Sequence, residues 1–177
     1  ECLLHPKVQV RNANFTKTDY EAIFKEYLGI TNTIWVGDGI IGDDTHGHID
    51  DLCRFVDEET IVTVVESDPK HKNYKALQDN LARLEKAKLE DGRSPKIITL
   101  PMPKDILFEG LTLPASYANF LILNKCVLVP TFNDAADRIA LNTIASCFPD
   151  REVLGISAID LIWGFGTLHC LSQQIPV

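Results

Sequence analysis

The sequence predicts an α/β protein built from repeated ββαβ units. Two observations carry this prediction. The same order of two short strands, an amphipathic helix and a closing strand occurs twice, and the second occurrence follows the first by roughly 60 residues. Hydrophobic residues make up 45% of the 177 residues, which is enough for a substantial core in one domain of ordinary size.

Part of a unit is expected over residues 1–40. The stretch TKTDYEAIFKEYL at 16–28 begins with a capping-box pattern and predicts an amphipathic helix. The short apolar run Thr33–Val36 then predicts one strand. These two elements correspond to the helix and the closing strand of a unit.

The first complete unit is expected over about 44–103. Two apolar runs, Leu52–Val56 and Thr60–Val65, are joined by a turn-like DEET and predict a pair of strands. Leucines at helical spacing predict a helix from Asn73 to about Lys88, with SDP upstream as a start signal. The run KIITL at 96–100 closes the unit as a strand.

The second complete unit is expected over about 113–157 and repeats this order. Its helix lies in NDAADRIALNTIASCF, where Asn133 or Asp134 is a candidate N-cap. The predicted strands are 118–123, 126–130 and 152–156.

Residues 160–177 are expected to start another unit, with 167–174 as its opening strand. A radial array of ββαβ units is expected to close on itself, because open sheet edges expose unpaired backbone groups. We therefore expect the chain to be part of a larger closed assembly. The alternative is that the two complete units pack as an open α/β sandwich.

The net charge of −8 disfavours binding to nucleic acid or to an anionic membrane and favours a cationic partner or substrate. No stretch approaches the roughly 20 apolar residues of a membrane span. The five cysteines are widely spaced and include no CxxC pair, which argues against a disulfide scaffold and a structural zinc site. We therefore expect a cytoplasmic protein.

The stretch DTHGHIDD at 44–51 is rich in groups that can transfer protons or bind cations. In a strand, His46, His48 and Asp50 would share one face, which would direct an imidazole and a carboxylate into one cavity. The same residues also fit a metal-dependent hydrolase, although the other histidines provide no second cluster at ligand spacing. A solvated polar loop is the third interpretation.

The stretch GTLHCLSQQ at 166–174 contains a candidate nucleophile, Cys170. A thiolate is the reactive form of cysteine and needs nearby positive charge or hydrogen bonds. His48 is a candidate proton carrier for it, with Asp50 close by, and a buried cysteine on a terminal strand is the alternative. Strand alternation would direct His169 to the opposite face, in a structural role. Asn119 is either a substrate contact or a strand-edge polar group.

The segments GDDTHGHIDDLCRFV and GTLHCLSQQIP resemble the agmatine deiminase and bacterial-type peptidylarginine deiminase family, guanidine-modifying enzymes of the pentein superfamily. ECLL, LPASYANF and VPTFND are also similar, so the resemblance runs nearly from end to end of the chain. It implies a five-bladed α/β propeller of ββαβ units, of which this chain corresponds to the C-terminal half.

The resemblance also implies roles for individual residues. Cys170 would be the nucleophile and His48 the general acid and base. Asp50 would grip the guanidinium through paired N–H···O bonds. Asp44 would line the substrate pocket, and Gly166 would belong to the glycine-rich loop near the reacting centre. Neither a metal nor an organic cofactor is implied.

The implied reaction is hydrolytic deimination of a guanidinium through a covalent thiouronium intermediate. The first candidate is the conversion of agmatine to N-carbamoylputrescine and ammonia, a step of polyamine (putrescine) biosynthesis. Deimination of peptidyl-arginine or free arginine is the alternative. The implied partners are a small cationic guanidinium substrate and the N-terminal half of the same enzyme, and a homo-oligomer is left open.

Two departures from the family pattern bear on activity. Family members carry an N-terminal half with a second guanidinium-gripping acid and an aromatic residue, and neither is located in these residues. Phe165 occupies a place that glycine often holds, which would narrow or reshape the pocket. We therefore expect residues 1–177 alone to be inactive, and a non-catalytic propeller fragment is a further alternative.

Overall fold

Two three-stranded mixed sheets, each backed by one helix, form the body of the protein. This computed structural model describes residues 2–4, 14–43 and 47–175. The two sheets belong to the two ββαβ units, and they share a continuous hydrophobic core.

The first elements form a parallel βαβ arrangement of strand β1 (Cys2–Leu4), helix α1 (Lys17–Leu28) and strand β2 (Thr33–Trp35). Thr16 caps the helix, because its hydroxyl accepts from the backbone of Asp19 while the Asp19 carboxylate accepts from the backbone of Thr16. The capping box and helix are as predicted. Strand β1 was not predicted from the sequence.

The first complete unit comprises strands β3 (Cys53–Phe55) and β4 (Thr60–Val65), helix α2 (Tyr74–Lys86) and strand β5 (Lys96–Pro101). Strand β3 runs antiparallel to β4, and β4 runs parallel to β5. The apolar runs therefore form the strands that the sequence predicted, and the helix begins at Tyr74.

A β-hairpin of strands β6 (Ile106–Phe108) and β7 (Leu111–Leu113) lies between the two units. Glu109 and Gly110 form its tight turn, and both have positive φ, at 49° and 82°. This hairpin was not predicted from the sequence, because its strands have only three residues each.

The second unit comprises strands β8 (Leu121–Ile122) and β9 (Cys126–Thr131), helix α3 (Ala136–Cys147) and strand β10 (Glu152–Ser157). It repeats the pairing of the first unit, with β8 antiparallel to β9 and β9 parallel to β10.

Two details of this second unit differ from the prediction. Residues 118–120 are not part of strand β8, which has only two residues. Helix α3 begins at Ala136, and Ala135 is its N-cap without a side-chain bond. Asp134 still supports the helix start, because its carboxylate accepts from the backbone of Ala136 at 2.8 Å.

The strand predicted over 167–174 is wrong. Residues 168–171 form turns, in which the backbone N–H of Leu171 donates to Thr167 and that of Ser172 donates to His169. A short 3-10 helix, Leu161–Gly164, precedes them. These local bonds satisfy the backbone groups that a strand would have directed to a neighbour.

The helices pack their apolar faces onto the sheets. Leu77 and Leu84 of α2 are fully buried, as is Ile144 of α3, and each such side chain stabilises the fold by about 2 kcal/mol. Helix α3 contacts β10 of its own unit and β5 of the first unit, so it joins the two.

Strand β10 lies at the edge of its sheet, where Leu154 and Ile156 are each more than a third exposed. None of the helices in the described ranges is long and apolar enough to cross a membrane.

Candidate active site

Three loops meet at one place, and each lies outside the strands and helices of the two units. The first loop, His48–Asp51, leads into β3, and the second, Ser116–Phe120, leads into β8. The third loop, Thr167–Cys170, follows the 3-10 helix that comes after β10. Hydrogen bonds between side chains connect all three loops.

The residues predicted to carry the chemistry, His48, Asp50 and Cys170, are brought together here. One imidazole nitrogen, one carboxylate oxygen and the sulfur all lie within 4.8 Å of one another. The sulfur of Cys170 lies 3.2 Å from Oδ2 of Asp50, across 120 positions of sequence. An imidazole, an acid and a thiol at this separation can exchange protons directly or through one water molecule.

The part of the 46–50 region that the structure describes is not the strand considered as one interpretation of the sequence. Asp50 lies in a 3-10 helix, Ile49–Asp51, and His48 precedes it in extended conformation. Gly47 has a φ of 87°, a backbone conformation that residues other than glycine rarely adopt. It turns the chain just before His48. The backbone of His48 then donates to the Asp43 carboxylate at 2.5 Å.

Two predicted residues cannot be placed. Asp44, expected to line the substrate pocket, and His46, the second histidine of the metal hypothesis, lie outside the described residues. Both therefore remain predictions.

Gly166 lies directly against the nucleophile. A Cβ added at Gly166 would come within 2.6 Å of Cβ and 2.9 Å of Sγ of Cys170, which is closer than real side chains approach. Only glycine allows the backbone to pass this close to the sulfur. The sulfur-bearing turn depends on this glycine.

Phe165 has a φ of 61° and a ψ of 23°, the left-handed conformation that glycine adopts without strain. The backbone at position 165 therefore has the left-handed conformation that favours glycine, the residue often found there in the family that the sequence resembles. Its side chain borders a cavity of about 310 Å³ whose other lining residues are Gly42, Asp43, Leu111 and Thr112.

His169 lies at the site, and the expectation that its side chain faces the opposite side is wrong. Its Nδ1 lies 2.6 Å from Oδ2 of Asp50, and the two side chains form an ion pair when the imidazole is protonated. The expectation failed because it relied on strand alternation, whereas the segment is a turn that brings neighbouring side chains toward one side.

Asn119 lies behind these groups and is 1% exposed. Its amide contacts Asp50, Asp51 and Cys170. It is therefore an interior residue of the site and not a strand-edge polar group. The signal that could have identified it is its position in an apolar run, where an amide needs buried partners.

The two adjacent aspartates differ in pKa. Burial opposes the ionisation of Asp50, but hydrogen bonds from His169 and Cys170 outweigh it and lower its pKa to about 2. For Asp51, burial and then the charge of Asp50 raise the pKa well above its usual value. Oδ2 of Asp51 has no hydrogen-bond partner within the described ranges. Of the two, Asp50 therefore holds its negative charge more firmly.

Burial and the neighbouring Asp50 charge raise the pKa of the Cys170 thiol to about 12. The hydrogen bond from Asn119 acts in the opposite direction and favours the thiolate. In the chain without a substrate, the sulfur is therefore a thiol at neutral pH.

An imidazole, a carboxylate and a thiolate are also the ligand types of zinc. The cluster of His48, Asp50 and Cys170 is close enough for all three to reach one ion. The arrangement therefore fits both a thiol nucleophile with a proton carrier and a metal site. An activity assay with chelator and with a cysteine variant distinguishes the two.

The repeated ββαβ units and the loops that join them define an α/β propeller of the pentein class. The family model for the Porphyromonas-type peptidyl-arginine deiminase matches residues 1–176. The chain therefore belongs to this family, and it forms about half of the five-bladed propeller. The fold predicted from the sequence is confirmed, and the open sandwich is not.

Known relatives show the same extent of similarity. The chain is 36% identical to a Lactococcus lactis protein named "Putative agmatine deiminase", over 99% of this chain and 52% of the relative. A Porphyromonas gingivalis structure, titled a putative arginine deiminase, matches with 38% identity and a TM-score of 0.91, over 98% of this chain and 53% of that one.

A C. jejuni agmatine deiminase with substrate bound matches with 32% identity and a TM-score of 0.87, over 94% of this chain and 50% of that one. This chain thus spans about half the length of the curated relatives that it matches.

Proposed function

We propose that the protein hydrolyses a guanidinium group to a ureido group and ammonia, with Cys170 as the nucleophile. The observation that supports this most directly is the approach of His48, Asp50 and the Cys170 sulfur to within 4.8 Å of one another. Membership of a deiminase family supports the same reaction.

In the first half of the reaction, the Cys170 thiolate attacks the guanidinium carbon and a C–S bond forms. His48 gives a proton to one amino group, the C–N bond breaks, and ammonia leaves. The remaining group is a thiouronium attached to the sulfur.

In the second half, His48 takes a proton from water, whose oxygen attacks the same carbon. The C–S bond breaks and returns the thiolate to Cys170. The released product carries a ureido group in place of the guanidinium.

Asp50 is proposed to hold the guanidinium. Every hydrogen bond that the described residues make to its carboxylate ends on Oδ2, so Oδ1 is the oxygen left for a substrate N–H. Its low pKa keeps it charged at neutral pH, and a charged acceptor forms stronger bonds to a guanidinium than a neutral one.

The cationic substrate is proposed to help to activate the sulfur. A guanidinium placed beside Asp50 and Cys170 offsets the negative charge that raises the pKa of the thiol. The sulfur would then lose its proton after the substrate binds, and the proton would pass to His48 or to solvent.

Agmatine is the proposed first substrate, giving N-carbamoylputrescine, with peptidyl-arginine or free arginine as the alternative. The names of the relatives include both agmatine and arginine deiminases. We further propose that the complete enzyme includes the N-terminal half, since this chain spans about half of its relatives.

The test combines the 177-residue chain with the N-terminal half, in one polypeptide, and measures ureido product and ammonia from agmatine, arginine and arginine-containing peptide. Product should form, should be lost in Cys170→Ala, and should persist in Cys126→Ala, which removes a cysteine of strand β9 outside the site. The isolated chain should be inactive, and product from it alone would refute that expectation.

The same assay distinguishes the thiol mechanism from a metal-dependent hydrolase. Activity that EDTA abolishes and Cys170→Ala spares would overturn the thiol mechanism in favour of a metal-dependent hydrolase that uses His48 and Asp50. Activity that EDTA spares and Cys170→Ala abolishes supports the thiol mechanism.

A further inference from the structure

We propose that Asn119 is the positioning residue of this site, and that its amide donates to the Cys170 sulfur while it ties the sulfur-bearing turn to the loop of Asp50. The inference rests on the proposed function, because it concerns how the nucleophile of that reaction is held.

The carbonyl side of the Asn119 amide binds the sulfur-bearing turn. Oδ1 accepts from the Thr167 hydroxyl at 2.8 Å, from the His169 backbone at 3.1 Å and from the Cys170 backbone at 3.3 Å. One oxygen therefore contacts three residues of the turn.

The amino side of the same amide faces the reacting groups. Nδ2 lies 3.0 Å from Oδ2 of Asp50, from Oδ1 of Asp51 and from the sulfur of Cys170. An amide has two N–H groups, so these three acceptors share two donors. If the sulfur gains negative charge, its hydrogen bond with the Asn119 amide becomes stronger, because charged acceptors form the stronger bonds.

The orientation of this amide is determined by its partners. Turning it over would place the NH₂ group against two backbone N–H donors, those of His169 and Cys170, and the oxygen against the carboxylates. Both contacts would be repulsive, so the donors must face the sulfur.

The backbone that carries Asn119 is held from behind. Arg54 of strand β3 donates to the carbonyl oxygens of Ala118 and Phe120, on either side of Asn119, at 3.4 and 3.0 Å. Its guanidinium also lies over the Phe120 ring, 5.0 Å from the centroid. The carbonyl of Asn119 itself accepts from the His169 backbone at 3.2 Å. The amide is thus fixed at both its backbone and its side chain.

The decisive measurement is the rate at which iodoacetamide alkylates Cys170, followed by the mass of the Cys170 peptide, in the wild-type chain and in Asn119→Asp. This substitution keeps an oxygen for the turn but replaces the NH₂ donor with an oxygen beside the sulfur and two carboxylates. At about pH 8 the rate should fall by about tenfold, because less thiolate is present.

A purely structural role predicts a different result. Ile144→Val, a conservative change in the core of α3, lowers thermal stability without touching the site, and should leave the alkylation rate of the folded chain unchanged. If Asn119→Asp shows only this behaviour, a lower melting temperature and the wild-type rate, the proposal is overturned.

Two further variants cover a failure to fold. Asn119→Ala keeps the site neutral and should slow alkylation by about threefold, since only water can replace the donor. Thr167→Val removes one bond to Oδ1 at nearly constant volume and should slow it in the same direction. A rate equal to or above that of the wild type in the folded variant contradicts the proposal.

Alkylation needs no substrate, so this test is independent of the deimination assay. Slower alkylation in Asn119→Asp would support the positioning role. If the wild-type enzyme also gave no ureido product from any guanidinium, the proposed function would be overturned while the positioning role remained. Normal alkylation together with product formation would do the reverse.

Discussion

The imidazole Nδ1 of His169 lies 2.6 Å from Oδ2 of Asp50, so the residue that precedes the candidate nucleophile binds the candidate guanidinium-gripping acid. The turn around Cys170 and the 3-10 helix around Asp50 are therefore joined by this imidazole–carboxylate contact as well as by the Asn119 amide. A substitution at His169 should therefore change the pKa of Asp50 most directly.

His169→Ala should reduce stability at neutral pH. The pKa of Asp50, about 2 in the folded chain, lies below its unfolded value, so Asp50 stabilises the fold above pH 3.8 and that contribution is lost as pH falls towards 2. This contribution is about 2 kcal/mol, and His169 provides part of it. Urea unfolding measures the free energy of unfolding at neutral and at acidic pH. The difference between these two values should be smaller in the variant than in the wild type. His71→Ala, which removes an imidazole in contact with Asp105, Glu66 and the backbone of Asn73 outside the site, is the control. An equal effect at both positions would contradict the assignment.

Asp51→Asn and Asp50→Asn should act in opposite directions on stability at neutral pH. The folded pKa of Asp51 is raised, so the stability it contributes is present below its unfolded pKa and is lost as pH rises. An asparagine at 51 removes that loss and should leave neutral stability equal or higher, whereas Asp50→Asn should lower it. Denaturant unfolding across pH measures both, and a larger loss in Asp51→Asn would show that Asp51 is ionised in the folded chain.

Gly166→Ala should displace the sulfur. The added methyl group would lie 2.6 Å from Cβ of Cys170, and a shift on the order of 1 Å in a reacting atom can reduce a rate by about a hundredfold. Deimination by the complete enzyme should fall accordingly. Gly164→Ala is the matched control, since a Cβ there meets no atom within 4 Å. Similar activity in both variants would mean that the turn can move aside.

The alkylation rate of Cys170 should rise about tenfold for each pH unit across the neutral and mildly alkaline range. The pKa of its thiol is raised to about 12 by burial and by Asp50, so no plateau should appear near the ordinary value of 9.0. The same chain unfolded in urea should reach its plateau near that ordinary value. A plateau in the folded chain at or below it would show that the site already favours the thiolate without substrate.

The repeated units could be predicted because each strand and helix has its own pattern. Thr60–Val65 is a run of β-branched residues between turn-like residues, and helix α2 has leucines at helical spacing, so local preference and tertiary structure agree. The hairpin β6–β7 was missed, since strands of three residues leave too little pattern to detect.

The site was predictable only in part. His48, Asp50 and Cys170 were found because imidazole, acid and thiol are chemically distinctive, and the family resemblance indicated that they act together. The direction expected for His169 and the strand-edge alternative for Asn119 were wrong, because the contacts of both residues depend on a turn at Thr167–Cys170 that was predicted as a strand. The period-two argument fails wherever the chain turns, and catalytic loops turn often.

None of the three loops that meet at Cys170 lies within a strand or an α-helix of the two complete units. A fragment carrying one whole unit would therefore keep its sheet and helix but lose the chemistry. A cut in the gene after helix α2 would divide the chain between two of these loops and leave each loop whole. The strands and helices of the units can therefore differ between related proteins without altering these loops, whereas new substrate ranges would arise chiefly from changes in the loops themselves.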